Sequence, residues 1–116
     1  MISKELFKGS LKPIVLKLLS ENDRMYGYEI TQKVEEITGS RIKLTYGALY
    51  PVLHKLEQEG TLVTESEIVN NRTRVYYHLT PDGHNIAREK IKELEIFLET
   101  IKSVLKPNPG TTSLAC

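Results

Sequence analysis

Apolar residues recur at helical spacing in four stretches of the chain, and two further stretches carry the pattern of strands. The helical stretches are residues 11–19, 26–38, 45–59 and 80–105. The strand-like stretches are residues 62–69, which alternate loosely, and residues 72–79, which are dense in β formers. Asn70-Asn71 separates them, and asparagine tolerates the left-handed backbone of a tight turn. The pattern therefore predicts a mainly α chain of the α+β class, with one β-hairpin before a long last helix.

The stretch Thr45–Glu59 predicts a helix with one buried and one exposed face. Thr45 is a good N-cap, and Gly60 stands where a helix usually stops. The buried stripe consists of Leu49, Val52, Leu53 and Leu56. The opposite face has no large aliphatic residue and carries Gly47, Tyr50, Pro51, His54, Lys55 and Gln58. This face offers hydrogen-bonding groups, a cation and a smooth patch where another surface can approach the backbone.

Pro51 lies inside this stretch, where a proline loses its own N–H bond and crowds the carbonyl four residues back. The residue four back is Gly47, which has the most freedom to relax. The apolar register from Leu49 to Leu56 continues through the proline, so we favour one bent helix. The alternative is that Pro51 ends a short turn and that a second helix begins there.

Two helices are predicted before this one. Their apolar stripes are Leu11, Ile14, Val15, Leu18 and Leu19 in the first, and Tyr26, Ile30, Val34 and Ile37 in the second. Ser10 is expected to cap the first helix, and Gly39-Ser40 to end the second. The second of these helices and the helix 45–59 are joined by the short link of residues 41–44, and together they form a helix-turn-helix. The hairpin is too small to be stable alone and must pack on these helices, which completes a winged helix-turn-helix.

The last helix has a strong start, with Thr80 as N-cap and Pro81 at the first helical position. It can continue to about Leu105, roughly 25 residues or ~37 Å. Its apolar positions follow a heptad seam: Ala87, Ile91, Leu94, Leu98, Ile101 and Leu105, widened by Phe97 and Val104. A domain of about 80 residues cannot cover so long a stripe, so we predict a homodimer through this C-terminal dimerisation helix. The alternative is that the helix folds back on its own core.

The chain accordingly divides into three parts. Residues 1–79 are predicted to form the winged helix-turn-helix domain, and residues 80–106 the dimerisation helix. Residues 107–116 are expected to be a disordered tail.

Composition narrows the class of protein further. At 116 residues the chain is small for an enzyme with a deep cleft, and a net charge of +1 gives no global indication of nucleic-acid binding. The only cysteine, Cys116, rules out an internal disulfide and fits a reducing cytoplasm. No apolar run approaches the roughly 18 residues that span a bilayer, and no signal peptide is recognisable. We therefore predict a cytoplasmic protein without membrane contact.

No motif for catalysis or metal binding is recognisable in the sequence. There is no phosphate-binding glycine-rich loop, no His/Cys cluster at metal spacing and no nucleophile–base pairing. The histidines, His54, His78 and His84, are scattered. We therefore predict that the protein is not an enzyme and uses no metal or cofactor.

The case for DNA binding depends on where the cations lie. They precede the helix 45–59, lie on its outer face and flank the hairpin tip: Arg41, Lys43, Lys55, Arg72 and Arg74. Phosphates would lie at these places if the helix entered a major groove and the wing followed the backbone. The predicted DNA-contacting residues are Thr45, Tyr46, Tyr50, Lys55, Arg72 and Arg74. Glu57, Glu59, Glu65 and Glu67 count against DNA binding. The near-zero net charge and the acidic residues of the wing strand favour the alternative, a protein-interaction module that uses the winged fold as a scaffold.

Several local motifs also resemble those of one family. They are Tyr26-Gly27-Tyr28-Glu29-Ile30; Gly47-Ala48-Leu49-Tyr50-Pro51 with Leu53, Leu56, Glu57 and Gly60; and Arg74 with Tyr76-Tyr77, Leu79-Thr80 and Gly83. In this order and spacing they resemble the PadR family of bacterial transcriptional regulators, over roughly residues 6–105. The single long last helix resembles the short PadR subgroup.

The resemblance implies a homodimer that binds palindromic double-stranded DNA and usually represses, often beside genes for phenolic-acid detoxification or drug efflux. It implies the same six DNA contacts, and a small-molecule effector as a further partner. The turn of residues 70–74 departs from the Gly-Arg-Pro-Arg-Lys of many members, so the wing is expected to contact the backbone differently. Some short members bind flat aromatic drugs with a tryptophan on the last helix. This chain has no tryptophan, Leu94 stands at the matching place and Phe97 is the only aromatic residue there, which counts against such a pocket.

Overall fold

The computed structural model describes residues 1–108, and its elements follow the predicted order. The helices are α1 (Lys4–Phe7), α2 (Leu11–Glu21), α3 (Gly27–Ile37), α4 (Tyr46–Gln58) and α5 (Pro81–Leu105), with a short 3-10 turn at Lys8–Ser10. The strands are β1 (Met25–Tyr26), β2 (Leu62–Val69) and β3 (Arg72–Leu79). The mainly helical winged helix-turn-helix with a long last helix is therefore confirmed.

The wing is an antiparallel sheet in the order β1-β3-β2. Asn70 and Asn71 both have positive φ, 51° and 63°, which is the backbone of the two-residue turn that matches the strand twist. The turn fixes the register of β2 on β3 from Leu62 opposite Leu79 to Val69 opposite Arg72. The strand β1 was not predicted, and it adds a third strand by pairing with Tyr76 and Tyr77 in the second half of β3.

Helix α4 is one continuous helix that contains Pro51, so the alternative of two shorter helices is wrong. Thr45 caps it, because its Oγ1 accepts a hydrogen bond from the backbone N–H of Ala48 at 3.2 Å. Leu49, Leu53 and Leu56 are buried and anchor α4 in the core. The predicted polar face of α4 is therefore left on the surface.

Two details of the predicted helices are wrong. Ser10 makes no capping hydrogen bond with its side chain, because its backbone is already close to helical and the turns of α1 run on into α2. Ile37 is 64% exposed although Val34, one turn earlier, is buried. As the last residue of α3, Ile37 lies at the edge of the core, where it lines a groove with Ile91 and Leu98 of α5.

Helix α5 begins at its predicted cap, where Thr80 Oγ1 accepts a hydrogen bond from Gly83 N–H at 2.9 Å. Its first part packs against its own chain: Ala87 is 1% exposed and Ile91 packs against the core. Ala87, which was predicted to contact a second chain, is thus covered by its own chain. The apolar residues farther along α5 are exposed: Ile96, Phe97, Leu98, Ile101, Val104 and Leu105.

The end of the chain falls only partly within the structure. Residues 109–116, which carry most of the predicted tail and Cys116, lie outside the described residues. Among residues 1–108, no helix combines the length and the apolar character that crossing a membrane requires.

Candidate nucleic-acid interface

The exposed face of α4 carries a row of aromatic rings. Tyr46 and Tyr50 are 52% and 45% exposed, and their ring centroids lie 5.6 Å apart. His54 continues the row one turn later, stacked on Tyr50 with centroids 5.9 Å apart. The three side chains therefore present hydroxyl and imidazole groups along one side of the helix, where they can donate or accept hydrogen bonds.

The first helix of the helix-turn-helix positions the Tyr46 ring. A β-carbon built on Gly27, the first residue of α3, would stand 2.5 Å from Tyr46 Cε1. Only a glycine at position 27 lets the ring lie this close to α3. The position of a predicted DNA-contacting side chain is thus set by a residue 19 positions earlier in the sequence.

Behind this row lies Tyr77 of β3, which is buried. Burial raises the pKa of the Tyr77 phenol to about 12, and the neighbouring Tyr46, Tyr50 and Glu57 act in the same direction. Tyr77 therefore stays neutral at physiological pH. It ties the sheet to α4 and is not itself part of the exposed surface.

Three lysines lie together at the exposed flank of α4. Lys8 and Lys12, from the N-terminal helical turns, line a shallow cleft together with Pro51 and Lys55 of α4. Lys12 is paired with Glu59 at 3.4 Å, whereas Lys8 and Lys55 have no ion-pair partner within residues 1–108. The structure therefore places a free cation from the N-terminal region beside the predicted Lys55.

The two arginines predicted on the wing have different environments. Arg72 is exposed beside the turn and has no ion-pair partner in the described part of the chain. Arg74 is half-buried, with its guanidinium carbon 4.0 Å from the centre of the Tyr26 ring. It also donates a hydrogen bond to the Tyr76 hydroxyl at 3.4 Å. Arg72 is thus free to reach a phosphate, while Arg74 is held on the face of the sheet.

Arg24, in the connection before β1, is a residue that the sequence reasoning missed. Its guanidinium lies 3.8 Å from the centre of the Tyr76 ring and forms ion pairs with Glu65, at 2.9 Å, and with Glu67. Hydrogen bonds to Glu67 and Glu65 raise the pKa of Arg24 above its already high ordinary value. Two of the four carboxylates that counted against DNA binding, Glu65 and Glu67, are therefore neutralised. The only local signal was that Arg24 precedes a pair of residues that favour a strand.

Residues 1–108 contain no group of three or more His, Cys, Asp or Glu side chains that could hold a metal ion. What the arrangement can do chemically is donate hydrogen bonds from Tyr46 and Tyr50 and attract anions with Lys8, Lys55 and Arg72.

Comparison with known proteins agrees with this architecture. The profile of the transcriptional regulator PadR-like family matches residues 15–89. The transcriptional regulator Rv3488 of Mycobacterium tuberculosis is 32% identical over 92 residues, which is 79% of this chain and 82% of that protein. A transcriptional regulator from Clostridium thermocellum superposes with a TM-score of 0.76 at 29% identity, covering 91% of this chain and 100% of the other. A PadR family transcriptional regulator from Eggerthella lenta gives 0.75 at 28% identity, covering 90% and 88%.

Proposed function

The chain belongs to the PadR-like family of transcriptional regulators, and from that premise we propose that it is a repressor that binds a palindromic DNA operator as a homodimer. The observation that supports this most directly is the exposed face of α4. It combines the hydroxyls of Tyr46 and Tyr50 with the unpaired cation of Lys55, and it contains no acidic side chain between Thr45 and Leu56. A face of this kind suits the major groove, where side chains meet base edges flanked by phosphates.

In this proposal the DNA contacts have distinct roles. Tyr46 and Tyr50 reach base edges or phosphates, and Lys55 binds a phosphate beside α4. Thr45 lies at the start of α4, where free N–H groups and the helix dipole favour an anion. Arg72 binds the backbone from the wing. Arg74 can bind the DNA backbone only after leaving the Tyr26 ring, so we expect Arg74 to contribute less to DNA binding than Arg72 does.

The dimer in this proposal uses the part of α5 that its own chain leaves uncovered. Phe97, Leu98 and Ile101 are exposed, and Leu105 continues the same face. Leu94 and Ile91 lie at its inner edge, where the chain's own core begins. Residues 80–106 thus serve as the dimerisation helix and residues 1–79 as the DNA-binding domain, in a protein that works in the cytoplasm. A small-molecule effector would act by changing the angle between α5 and the winged domain.

DNA binding is tested by fluorescence anisotropy with the protein's own upstream DNA and a shuffled duplex, each at two salt concentrations. We expect a preference for the upstream DNA and an affinity that falls as salt rises. Lys55→Ala and Arg72→Ala should each weaken binding and lower the salt slope by about 1. Lys102→Ala, an exposed cation on α5 paired with Glu99, is the control and should leave both unchanged.

Equal and feeble binding to both duplexes would contradict the proposal. Together with unchanged behaviour of the Arg72→Ala variant, it would favour the alternative of a protein-interaction module on a winged-helix scaffold. Loss of DNA binding in the Lys55 and Arg72 variants with an unchanged oligomeric state would support the regulator.

An effector's mode of action has its own measurement. Spin labels on the two α4 helices of a dimer report the distance between these helices. An effector that lowers operator affinity should change this distance, and an unaltered distance would contradict the proposed change of angle.

A further inference from the structure

We propose that Arg24 is the residue that positions the wing and keeps it positively charged, and that it sets operator affinity in this way without contacting DNA. The inference rests on the proposed function, because operator affinity is what it concerns. It follows from five contacts of one side chain and its neighbours, all among described residues.

The Arg24 side chain extends across the sheet to the outer strand β2. Arg24 belongs to the connection between α2 and α3, yet it forms ion pairs with Glu65 and Glu67, both on β2. These two residues lie two apart on one strand, so their side chains point to the same face. A guanidinium has a rigid fork of donors that can bind both carboxylates at once. Arg24 therefore fastens the outer strand of the wing to the helix-turn-helix.

Two arginines stack on two tyrosine rings beside these ion pairs. Arg24 lies over the Tyr76 ring at 3.8 Å, and Arg74 lies over the Tyr26 ring at 4.0 Å. The two rings meet edge to face, with centroids 5.5 Å apart and planes at 82°. Tyr26 and Tyr76 are also backbone partners of β1 and β3. Cations and rings thus alternate across the strands, which fixes the angle at which the hairpin leaves the domain.

Glu67 forms its ion pair with Arg24 and not with the arginine opposite it on β3. Glu67 lies directly opposite Arg74 in the register of β2 and β3, where an ion pair between them would be ordinary. Its ion pair is instead with Arg24, and Arg74 stacks on Tyr26. Arg24 thus occupies the carboxylates of the wing. Without it, Glu65 and Glu67 are free to pair with Arg74 or to draw Arg72 back from the tip.

Arg24 also determines the net charge that the wing presents to DNA. The hairpin itself carries two glutamates and two arginines, so Arg24 supplies the cation that makes the wing net positive. Unpaired carboxylates near the tip would repel phosphates within the Debye length of about 8 Å. The ion pairs are partly exposed and contribute little to folding, so removal of Arg24 should alter the wing more than the fold.

The test compares Arg24→Ala with the triple variant Arg24→Ala, Glu65→Gln, Glu67→Gln. We expect the single variant to lose about tenfold in operator affinity, because two bare carboxylates then face the phosphates. The triple variant should recover to within about threefold of the wild type, with the same salt slope, because it has lost the carboxylates as well as their partner. The loss that remains measures the positioning of the wing by Arg24, which the triple variant also lacks. Arg24→Gln keeps most of the side chain's stem and should behave as Arg24→Ala does. Amide hydrogen exchange of residues 62–79 should rise in both single variants.

Two results would overturn the inference. Wild-type affinity in Arg24→Ala would mean that Arg24 does not govern the wing. A triple variant as weak as the single one, with a salt slope lower by about 1, would mean that Arg24 itself binds a phosphate. Failure of the wild type to prefer its operator is a different result, because it contradicts the proposed function and is seen before any variant is compared.

Discussion

Gly83 lies so close to Thr61 that a β-carbon on Gly83 would stand 2.2 Å from the Thr61 carbonyl oxygen. The same oxygen accepts a hydrogen bond from the Thr80 N–H at 3.1 Å. Thr80 also donates its hydroxyl to the Gly60 carbonyl oxygen at 2.9 Å. The cap of α5 is therefore built against the chain that leaves α4, and this contact joins the long helix to the winged part.

Gly83→Ala is expected to destabilise the protein by about 1 to 3 kcal/mol, because the methyl group meets a backbone oxygen that cannot move aside easily. Chemical denaturation measures the change in the free energy of unfolding. Gly9→Ala is the matched control, since a β-carbon there has nothing within 4 Å. Equal stability of the two variants would show that the contact between Gly83 and Thr61 can relax.

Gly27→Ala should weaken operator binding with little loss of stability. Its methyl group would push the Tyr46 ring away from α3, and that ring is exposed and able to move. Anisotropy titrations of Gly27→Ala, Tyr46→Ala and the double variant form a cycle. If Gly27 acts only through Tyr46, the change from Gly27 to alanine has no further effect once Tyr46 is alanine. Additive losses would refute this.

Leu98→Glu combined with Ile101→Glu should yield a folded monomer. Both residues are exposed on the apolar face of α5 and do not belong to the core of their own chain, so charges there oppose association and leave the fold intact. Sedimentation equilibrium gives the mass, and circular dichroism checks the helix content. Ser103→Glu is the control, because Ser103 projects from the opposite side of the helix. A double variant that remains a dimer would place the interface elsewhere.

Lys8→Ala should reduce the affinity for the operator and for a shuffled duplex by the same factor. Lys8 lies beside Lys55 at the flank of α4, where it can attract a phosphate but has no base edge to read. The salt slope is expected to fall by about 1, whereas Lys102→Ala leaves it unchanged. A loss confined to the operator would show that Lys8 contributes to sequence recognition instead.

Tyr77 predicts a loss of stability at alkaline pH. Its pKa is raised to about 12 in the folded protein, so the buried phenol stays neutral while an unfolded tyrosine ionises near its usual value of about 10. The contribution is fully present below about pH 10 and is lost as the pH rises towards 12. Denaturation between pH 9 and 11 should show a steeper decline for the wild type than for Tyr77→Phe. Tyr28→Phe, an exposed position on α3, is the control and should decline as the wild type does.

The features that the sequence predicted correctly are those with local causes. Thr45 and Thr80 are caps whose partners lie three residues away, and Asn70-Asn71 form a turn that needs nothing beyond itself. The register of Leu49 to Leu56 was also enough to show that α4 continues through Pro51. Signals of this kind are complete within one or two turns of chain.

What the sequence could not show depends on distant partners. Arg24 meets Glu65 across 41 positions of the chain, and nothing near Arg24 indicates that partner. Ala87 and Leu98 follow the same heptad spacing, yet one is buried in its own core and the other is exposed. Both environments require apolar residues at the same positions, so the spacing alone cannot distinguish them.

The fold of this chain is complete before its last helix ends. The core takes Ala87 and Ile91 from α5, and the apolar residues from Ile96 to Leu105 do not belong to it. Evolution could therefore lengthen or shorten the exposed part by one heptad at a time, about 10 Å each, without altering the proposed DNA-binding domain. In a dimer held together by this part, the spacing between two half-sites becomes a property of helix length, which insertions and deletions can change in steps.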